Sequence, residues 1–218
     1  MCASPGISVT NFAAVGVPTI RAPQATIVGD RIRFASATDA AAIAAIYAPL
    51  VTETTISFEE TPPDAGEMRG RIIAAHDVWP WLVNERDAAI AGFVYAGPHR
   101  SRAAYRWSAD VSAYVAPAFH RRGVAGRLYA TLFRILAAQG YYQAFAGITL
   151  PNDASLALHR TVGFEPIGTY RNVGFKFGVW RDVAWFARPL RQFDAAPAEP
   201  KPLATIAAAE LQCILASD

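Results

Sequence analysis

The sequence predicts one domain of mixed α/β (α+β) class, built on a sheet with both helical and hairpin connections. Strand-like and helix-like apolar periodicities alternate from Arg31 to Leu190, and some neighbouring strand-like segments are joined by short turns. In addition, 53% of the 218 residues are hydrophobic, enough to bury a substantial core. Residues 1–30, rich in Gly, Pro, Ser and Ala, are expected to be an N-terminal extension, and residues 191–218 a C-terminal tail.

In the first part of the domain, the sequence predicts a strand, two helices and a hairpin. IRFA is a short strand. Apolar residues then recur at helical spacing from Ile43 to Leu50, and Met68 and Ile72 lie four apart in a second helical segment. WLVNE and AAIAGFVYAG, separated by an Arg-Asp turn, predict two antiparallel strands.

A strand with one polar face follows this hairpin. Polar and apolar residues alternate from Trp107 to Val115, which is typical of a strand that packs one face on a core. Asp110 belongs to the polar face, together with Ser108, Ser112 and Tyr114. The strand can therefore present polar groups to a site while its other face packs.

In the second part of the domain, the sequence predicts a helix, a strand, a helix and two further strands. The first helix, over 125–138, carries leucine and isoleucine on one side and ends at Gly140. YYQAFAGITL is a mostly apolar strand. Asn152 can cap a third helix that closes at Gly163, and the segment 168–190 contains the last two strands.

The turn between the polar-faced strand and the 125–138 helix is rich in arginine and glycine. A helix N-terminus presents unpaired backbone N–H groups, and small residues there let an anion approach them closely. The segment from Arg121 to Gly126 could thus hold a pyrophosphate. Alternatively, it is a tightly packed connection with solvated arginines. It matches neither the GxGxxG nor the GxxxxGK[ST] pattern, which argues against a dinucleotide fold or a P-loop.

Composition argues against several classes of protein. The formal net charge is only +2, without a run of five or six like charges, so nucleic-acid binding is not expected. No stretch supplies the about 20 apolar residues that cross a bilayer. The two cysteines, Cys2 and Cys213, lie near opposite ends without metal-ligand spacing. We expect a cytoplasmic protein that binds neither membrane nor metal.

Two motifs and several further segments resemble the GNAT acetyltransferase superfamily. HRRGVA fits the cofactor loop Q/R-x-x-G-x-G/A in every place but the first, and NDASLALHRTVGF resembles the second signature. PWLVNE, AGFVYAGP, AYRW, LPNDASLALH and GFKFGVWRDV, in collinear order between Ile32 and Leu190, are similar to the phosphinothricin acetyltransferase group. The resemblance implies a central mixed, mostly antiparallel sheet flanked by helices, in an acetyl-CoA-dependent N-acetyltransferase.

The resemblance implies acetyl-CoA as cosubstrate. Its pyrophosphate would lie on the backbone N–H groups of the arginine-glycine turn, and its pantetheine arm would run beside the polar-faced strand like an added strand. Asn152 would contact it as well, although a helix cap explains that residue equally well. The implied cofactor residues are Ala113, Tyr114, Val115, Arg121, Arg122, Gly123, Val124, Ala125, Gly126 and Asn152.

Acetyl transfer to an amine needs a base for the ammonium proton, donors for the oxyanion and an acid for the departing thiolate. Asp110 stands where the related enzymes place a Glu base and is one methylene shorter; its other possible role is to orient an arginine or cap a turn. His159 is the implied acid, although it could be a packed helix residue. The N–H of Val115 or its neighbour is the expected oxyanion donor.

Four residues are expected to bind the acceptor. Arg100 and Arg102 precede the Asp110 strand, and two guanidinium groups suit a carboxylate or phosphinate, although either arginine could simply be a surface residue. The resemblance makes Phe58 a wall for the aliphatic part of the ligand, and Tyr105 is expected to supply a hydroxyl. The expected acceptor is a small, anionic, amino-acid-like amine such as phosphinothricin or methionine sulfoximine.

Assembly and two other functions complete the expectations. The resembling group is commonly homodimeric, and an aromatic-rich last segment could form the interface or could complete the core: Phe175, Phe177, Trp180, Trp185 and Phe186. The other functions are acetylation of a protein or peptide amine and non-enzymatic binding of acyl-CoA. The change from Gln or Arg to His120 and the shortened acid at Asp110 would fit the second of these.

Overall fold

The computed structural model describes residues 29–217, so the expected extension over 1–30 lies almost wholly outside the described residues. The strands are β1 Arg31–Phe34, β2 Trp81–Arg86, β3 Ala89–Pro98, β4 Ser108–Val115, β5 Gln143–Thr149, β6 Glu165–Lys176 and β7 Val179–Pro189. The α-helices are α1 Ala40–Thr52, α2 Ala65–Ala75, α3 Val124–Gln139, α4 Asp153–Thr161 and α5 Ala208–Ala216. None of the helices within 29–217 is long and apolar enough to cross a membrane.

The seven strands form one sheet in the order β1-β2-β3-β4-β5-β7-β6. Every neighbouring pair is antiparallel except β4 and β5, which run parallel because α3 connects them. The expected class is confirmed: a mixed, mostly antiparallel sheet with helical and hairpin connections.

The parallel pair stays together over only a short length. Three residues of β4, Ser108 to Asp110, pair with Gln143 to Phe145 of β5. Beyond that point β4 continues to pair with β3 up to Val115, and β5 continues to pair with β7. The two strands therefore diverge, and the middle of the sheet opens into a cleft.

Two apolar clusters cover the two faces of the sheet. Consecutive residues of β3 point to opposite faces, so Phe93 packs with α1 and α2 while Val94 packs with α3. Leu132 of α3 is 0% exposed, and its truncation to Ala would cost about 2–5 kcal/mol. Along β4 the apolar residues face α3, as the alternation predicts, and Tyr114 packs on the α1 side.

The segment after Leu190 packs on this domain. Leu203 is buried within the α3 cluster, and α5 adds Leu211 to the same cluster. Gln139, at the end of α3, donates through Nε2 to the carbonyl oxygen of Lys201 at 3.0 Å. The residues expected to form a tail thus cover one end of α3.

Candidate active site

The first turn of α3 forms an open cradle of backbone donors. Gly123 caps the helix with φ of +78°, a left-handed conformation that favours glycine, and the first helical bond runs from the N–H of Arg127 to the carbonyl of Gly123 at 3.1 Å. The N–H groups of the next three residues precede that bond and lie at the positive end of the helix dipole. A Cβ atom added at Gly123 or Gly126 would meet nothing within 4 Å, which leaves room for an anion.

The cradle is held against the end of β4. A Cβ atom at Gly92 would lie 2.7 Å from the carbonyl oxygen of Tyr114 and 3.1 Å from Cγ1 of Val124, so only glycine permits this approach of β3, β4 and α3. His120, the position that departs from the loop motif, places Nε2 3.0 Å from the carbonyl oxygen of Val115. Arg121 and Arg122, which lie between His120 and Val124, are exposed.

The cleft between β4 and β5 brings several of the expected residues together. It is lined by Ala113 and Tyr114 of β4, by Ala146 to Thr149 of β5, and by Asn152 and His159 of the α4 region. Asn152 also caps α4, because its Oδ1 accepts the N–H of Ser155 at 3.1 Å. The cap is therefore observed, and the same residue lines the cleft.

His159 is buried at the wall of this cleft and paired with a tyrosine. Its Nδ1 lies 2.8 Å from the carbonyl oxygen of Ser155, and its Nε2 lies 3.1 Å from the hydroxyl of Tyr129. A carbonyl only accepts, so Nδ1 carries the proton and Nε2 accepts the Tyr129 hydroxyl. Burial lowers the pKa of His159 and raises the pKa of Tyr129. Tyr129, which the sequence did not single out, thus stands beside the expected acid.

Asp110 faces a cavity of about 330 Å³ that adjoins the cleft. The cavity and the cleft share wall residues on β4 and β5, including Ser112 and Gly147. Burial raises the pKa of Asp110, and both the hydrogen bond from His99 and the charge of Arg100 oppose that rise. The carboxyl group is therefore partly desolvated, and its neighbours Val111 and Ser112 line both the cavity and the cleft.

His99 is a second residue that sequence reasoning missed. Its Nδ1 lies 2.5 Å from Oδ1 of Asp110, and its ring stacks on Phe145 with centroids 4.1 Å apart. The signal lay in the strand register, because Gly97 of β3 pairs with Asp110 and places His99 diagonally across from it. Sequence periodicity alone does not supply that register.

The four expected acceptor residues do not all reach the Asp110 cavity. Phe58 lines it. Arg100, Arg102 and Tyr105 instead line a second cavity of about 310 Å³. Arg100 nevertheless lies close to the Asp110 cavity, because its guanidinium is 5.5 Å from the ring centre of Trp185, which lines that cavity, and its charge opposes the rise in the pKa of Asp110.

A buried lysine fixes the wall that carries Phe58. Lys176 is 6% exposed and donates through Nζ to three carbonyl oxygens, those of Val51 at 2.6 Å, Ser57 at 2.6 Å and Glu59 at 2.9 Å. These acceptors bracket the loop over 53–59, so the ammonium joins that loop to the β6–β7 hairpin. Burial lowers the pKa of Lys176. No motif in the sequence pointed to this contact.

The aromatic-rich last segment divides into two groups. Phe186 is 2% exposed and belongs to the core, which is the second of the two roles expected for this segment. Trp185 is half-buried beside the Asp110 cavity. Phe175, Phe177 and Trp180 are 56%, 55% and 59% exposed on the β6–β7 hairpin.

Comparison with known proteins agrees with this geometry. The acetyltransferase (GNAT) domain family matches residues 32–185. A phosphinothricin N-acetyltransferase of Streptomyces viridochromogenes is 36% identical over 172 residues, covering 79% of this chain and 92% of the relative. One of the same name from Alcaligenes faecalis is 42% identical over 158 residues, covering 72% and 80%.

A solved structure shows the same fold. The GNAT superfamily phosphinothricin acetyltransferase of Sinorhizobium meliloti, crystallised with acetyl-CoA, superimposes with a TM-score of 0.75 at 34% identity, covering 81% of this chain and 97% of that one. The fold, the cleft beside a helix N-terminus and these matches agree with the resemblance seen in the motifs. The chain belongs to the GNAT acetyltransferase family.

Proposed function

We propose that the protein transfers the acetyl group of acetyl-CoA to the primary amine of a small, anionic, amino-acid-like acceptor such as phosphinothricin or methionine sulfoximine. One observation carries the proposal: Asp110 lines a cavity that shares wall residues, Ser112 and Gly147 among them, with the cleft between β4 and β5. A donor in the cleft and an acceptor in the cavity would meet beside a carboxylate. That is the arrangement an amine acetyltransferase requires.

Acetyl-CoA fits the cleft through groups that the chain already presents. The α3 cradle offers backbone N–H groups to the pyrophosphate, with space above Gly123 and Gly126. The edge of β4 from Ala113 to Val115, free of β5, offers main-chain groups to the pantetheine arm. Asn152 lies farther along the same cleft.

Asp110 and the His159–Tyr129 pair divide the proton chemistry in this proposal. Asp110 takes the ammonium proton, so that the neutral amine attacks the thioester carbon and forms a C–N bond. The N–H of Val115 or a neighbour stabilises the oxyanion, and the C–S bond then breaks. The Tyr129 hydroxyl, oriented by His159, supplies the proton that the departing thiolate takes up, and the attacking nitrogen releases its second proton to water. His159→Phe should therefore lower kcat while leaving acetyl-CoA binding nearly unchanged.

Recognition of the acceptor rests on Phe58 and Arg100. Phe58 forms an apolar wall, and the Arg100 guanidinium, 5.5 Å from the ring centre of the cavity residue Trp185, suits a carboxylate or phosphinate. Arg102 and Tyr105 line the second cavity together with Arg100, without a contact to the Asp110 cavity of the kind that Arg100 makes with Trp185. Arg100→Gln should raise the KM of the acceptor, whereas Arg102→Gln is the matched control with a smaller effect.

The test is release of free CoA, measured with a thiol reagent, against a panel of acceptors. The panel contains phosphinothricin, methionine sulfoximine, common amino acids, their amides and short peptides. We expect turnover with free amino acids and poor turnover with amides, because amides leave the arginine unpaired. Preference for peptides would move the function to protein acetylation. Binding of acetyl-CoA without turnover of any amine would make the protein a non-enzymatic acyl-CoA binder.

We also propose that the chain is a homodimer. Support comes from the exposed aromatic side chains of the β6–β7 hairpin, Phe175, Phe177 and Trp180, since aromatic anchors are typical of interface cores. Light scattering at micromolar concentration should give twice the chain mass of 23.5 kDa. A stable monomer would overturn this part of the proposal.

A further inference from the structure

His99 is bound to Asp110 through a short and well-supported contact. The distance from Nδ1 to Oδ1 is 2.5 Å, and only 11% of the His99 side chain is exposed against 38% of the Asp110 side chain. The ring lies flat on Phe145, 16° from parallel, and meets the rings of Trp185 and Tyr105 edge-on. Three aromatic rings on three different segments thus hold the imidazole in one orientation.

This orientation decides which atoms face Asp110. The carboxylate accepts, so Nδ1 carries the proton and donates it. The hydrogen bond occupies one carboxylate oxygen and fixes the side-chain torsion, which leaves the second oxygen for the acceptor cavity. Other charged or titratable groups near the pair are Arg100, whose charge acts on Asp110, and Tyr105, whose ring touches His99.

The chain needs such a support for a reason visible in its own sequence. The base is an aspartate, one methylene shorter than the Glu implied by the resemblance, and a short side chain tolerates less error in its direction. The site is also partly desolvated, which favours a protonated and therefore inactive carboxyl group. A fixed donor opposes both effects, because it aims the carboxylate and stabilises its ionised form.

We propose that His99 is a positioning residue for catalysis: its Nδ1–H holds Asp110 ionised and directs the free carboxylate oxygen to the acceptor amine. The inference rests on the proposed function, in which Asp110 is the base. His99 does not itself take the substrate proton. It acts through Asp110, and its loss affects the reaction most where Asp110 is closest to protonation, on the acid side of the pH profile.

The test compares two variants that separate the hydrogen bond from the packing. His99→Phe keeps an aromatic ring on Phe145 and removes the donor, whereas His99→Asn gives up the ring but places an amide N–H near the position of Nδ1. On the acid side of the profile, we expect the kcat/KM of H99F to be about ten- to a hundredfold lower than that of the wild type. This is the change typical for the loss of a hydrogen bond to a charged group. The acid limb should move to higher pH, and H99N should move it back.

The outcomes separate this inference from the proposed function. If D110N loses turnover but the acid limb of H99F coincides with that of the wild type, Asp110 is the base and His99 only packs. If D110N keeps wild-type turnover, Asp110 is not the base and the inference is overturned while acetyl transfer stands. If the wild type itself releases no CoA with any acceptor, the proposed function fails. Should H99F not fold, His99→Leu removes the same donor. If neither folds, H99N decides: an acid limb at the wild-type position supports the inference, and a limb moved to higher pH overturns it.

Discussion

Removing the ammonium of Lys176 is the sharpest test of how the acceptor wall is built. Lys176→Met keeps the length and apolar stem of the side chain but withdraws the donor from three carbonyl oxygens, at 2.6, 2.6 and 2.9 Å. A buried acceptor left without a donor costs about 1–3 kcal/mol. The loop over 53–59 can recover part of this by turning its carbonyls to water, and removal of a buried charge offsets another part.

We expect a net loss of about 3 kcal/mol in the free energy that holds the loop, which corresponds to roughly a hundredfold increase in its open population. Phe58 would then leave the cavity wall more often, so the KM of the acceptor should rise while the affinity for acetyl-CoA stays unchanged. Hydrogen exchange should show faster exchange over 53–59. The chain has only one other lysine, the exposed Lys201, which makes Lys201→Met the matched control.

The reasoning would be refuted by K176M with the wild-type KM for the acceptor and wild-type protection of the loop. Other contacts would then hold the wall by themselves, chiefly the Tyr47 hydroxyl, which meets Ser57 Oγ at 2.7 Å and Glu59 Oε1 at 2.9 Å. A fall in acetyl-CoA affinity equal to the change in acceptor KM would also contradict it, because the hydrogen bonds of Lys176 hold the wall of the acceptor cavity.

Three further perturbations test other parts of the structure. Gly123→Val forces a β-branched residue to φ of +78°, and should weaken acetyl-CoA binding by about tenfold or more in calorimetry on folded protein; unchanged affinity would make the turn a mere connection. Tyr129→Phe keeps the ring but removes the hydroxyl beside His159, so kcat should fall about tenfold or more without a change in acetyl-CoA affinity. The hydrogen bond from Arg33 lowers the pKa of Asp39 from 3.8 to about 2. Because a depressed carboxyl pKa stabilises the fold above the unfolded value, this contribution is present above about pH 4 and is lost towards pH 2; Asp39→Asn should lower Tm at pH 7 far more than at pH 2.

Local patterns in the sequence predicted the elements of the fold well. The helix expected over 125–138 runs from Val124 to Gln139, and the alternation along β4 correctly separates its core face from the face that carries Asp110. These features depend on neighbours in the chain, so periodicity and capping residues report them. The order of the strands, in which β5 lies between β4 and β7, depends on distant contacts and was not predicted from the sequence.

The candidate site shows the same division between local and distant contacts. The helix-start cradle and the Asn152 cap are local and were visible in the sequence. The contact of His99 with Asp110 depends on strand register. The hydrogen bonds of Lys176 join residues that are separated in the sequence by 117 to 125 positions. The prolines in residues 191–218 suggested a tail, but Leu203 and Ile206, which follow those prolines, are buried.

The divergence of β4 and β5 leaves two strand edges open to pairing. Each strand has an inner edge without a strand partner beyond Asp110 and Phe145, and unpaired edges invite strands of other chains to add to them. Acetyl-CoA bound along the β4 edge, as proposed above, would cover that edge and would favour the folded state by mass action. Addition of acetyl-CoA should therefore reduce self-association of the protein.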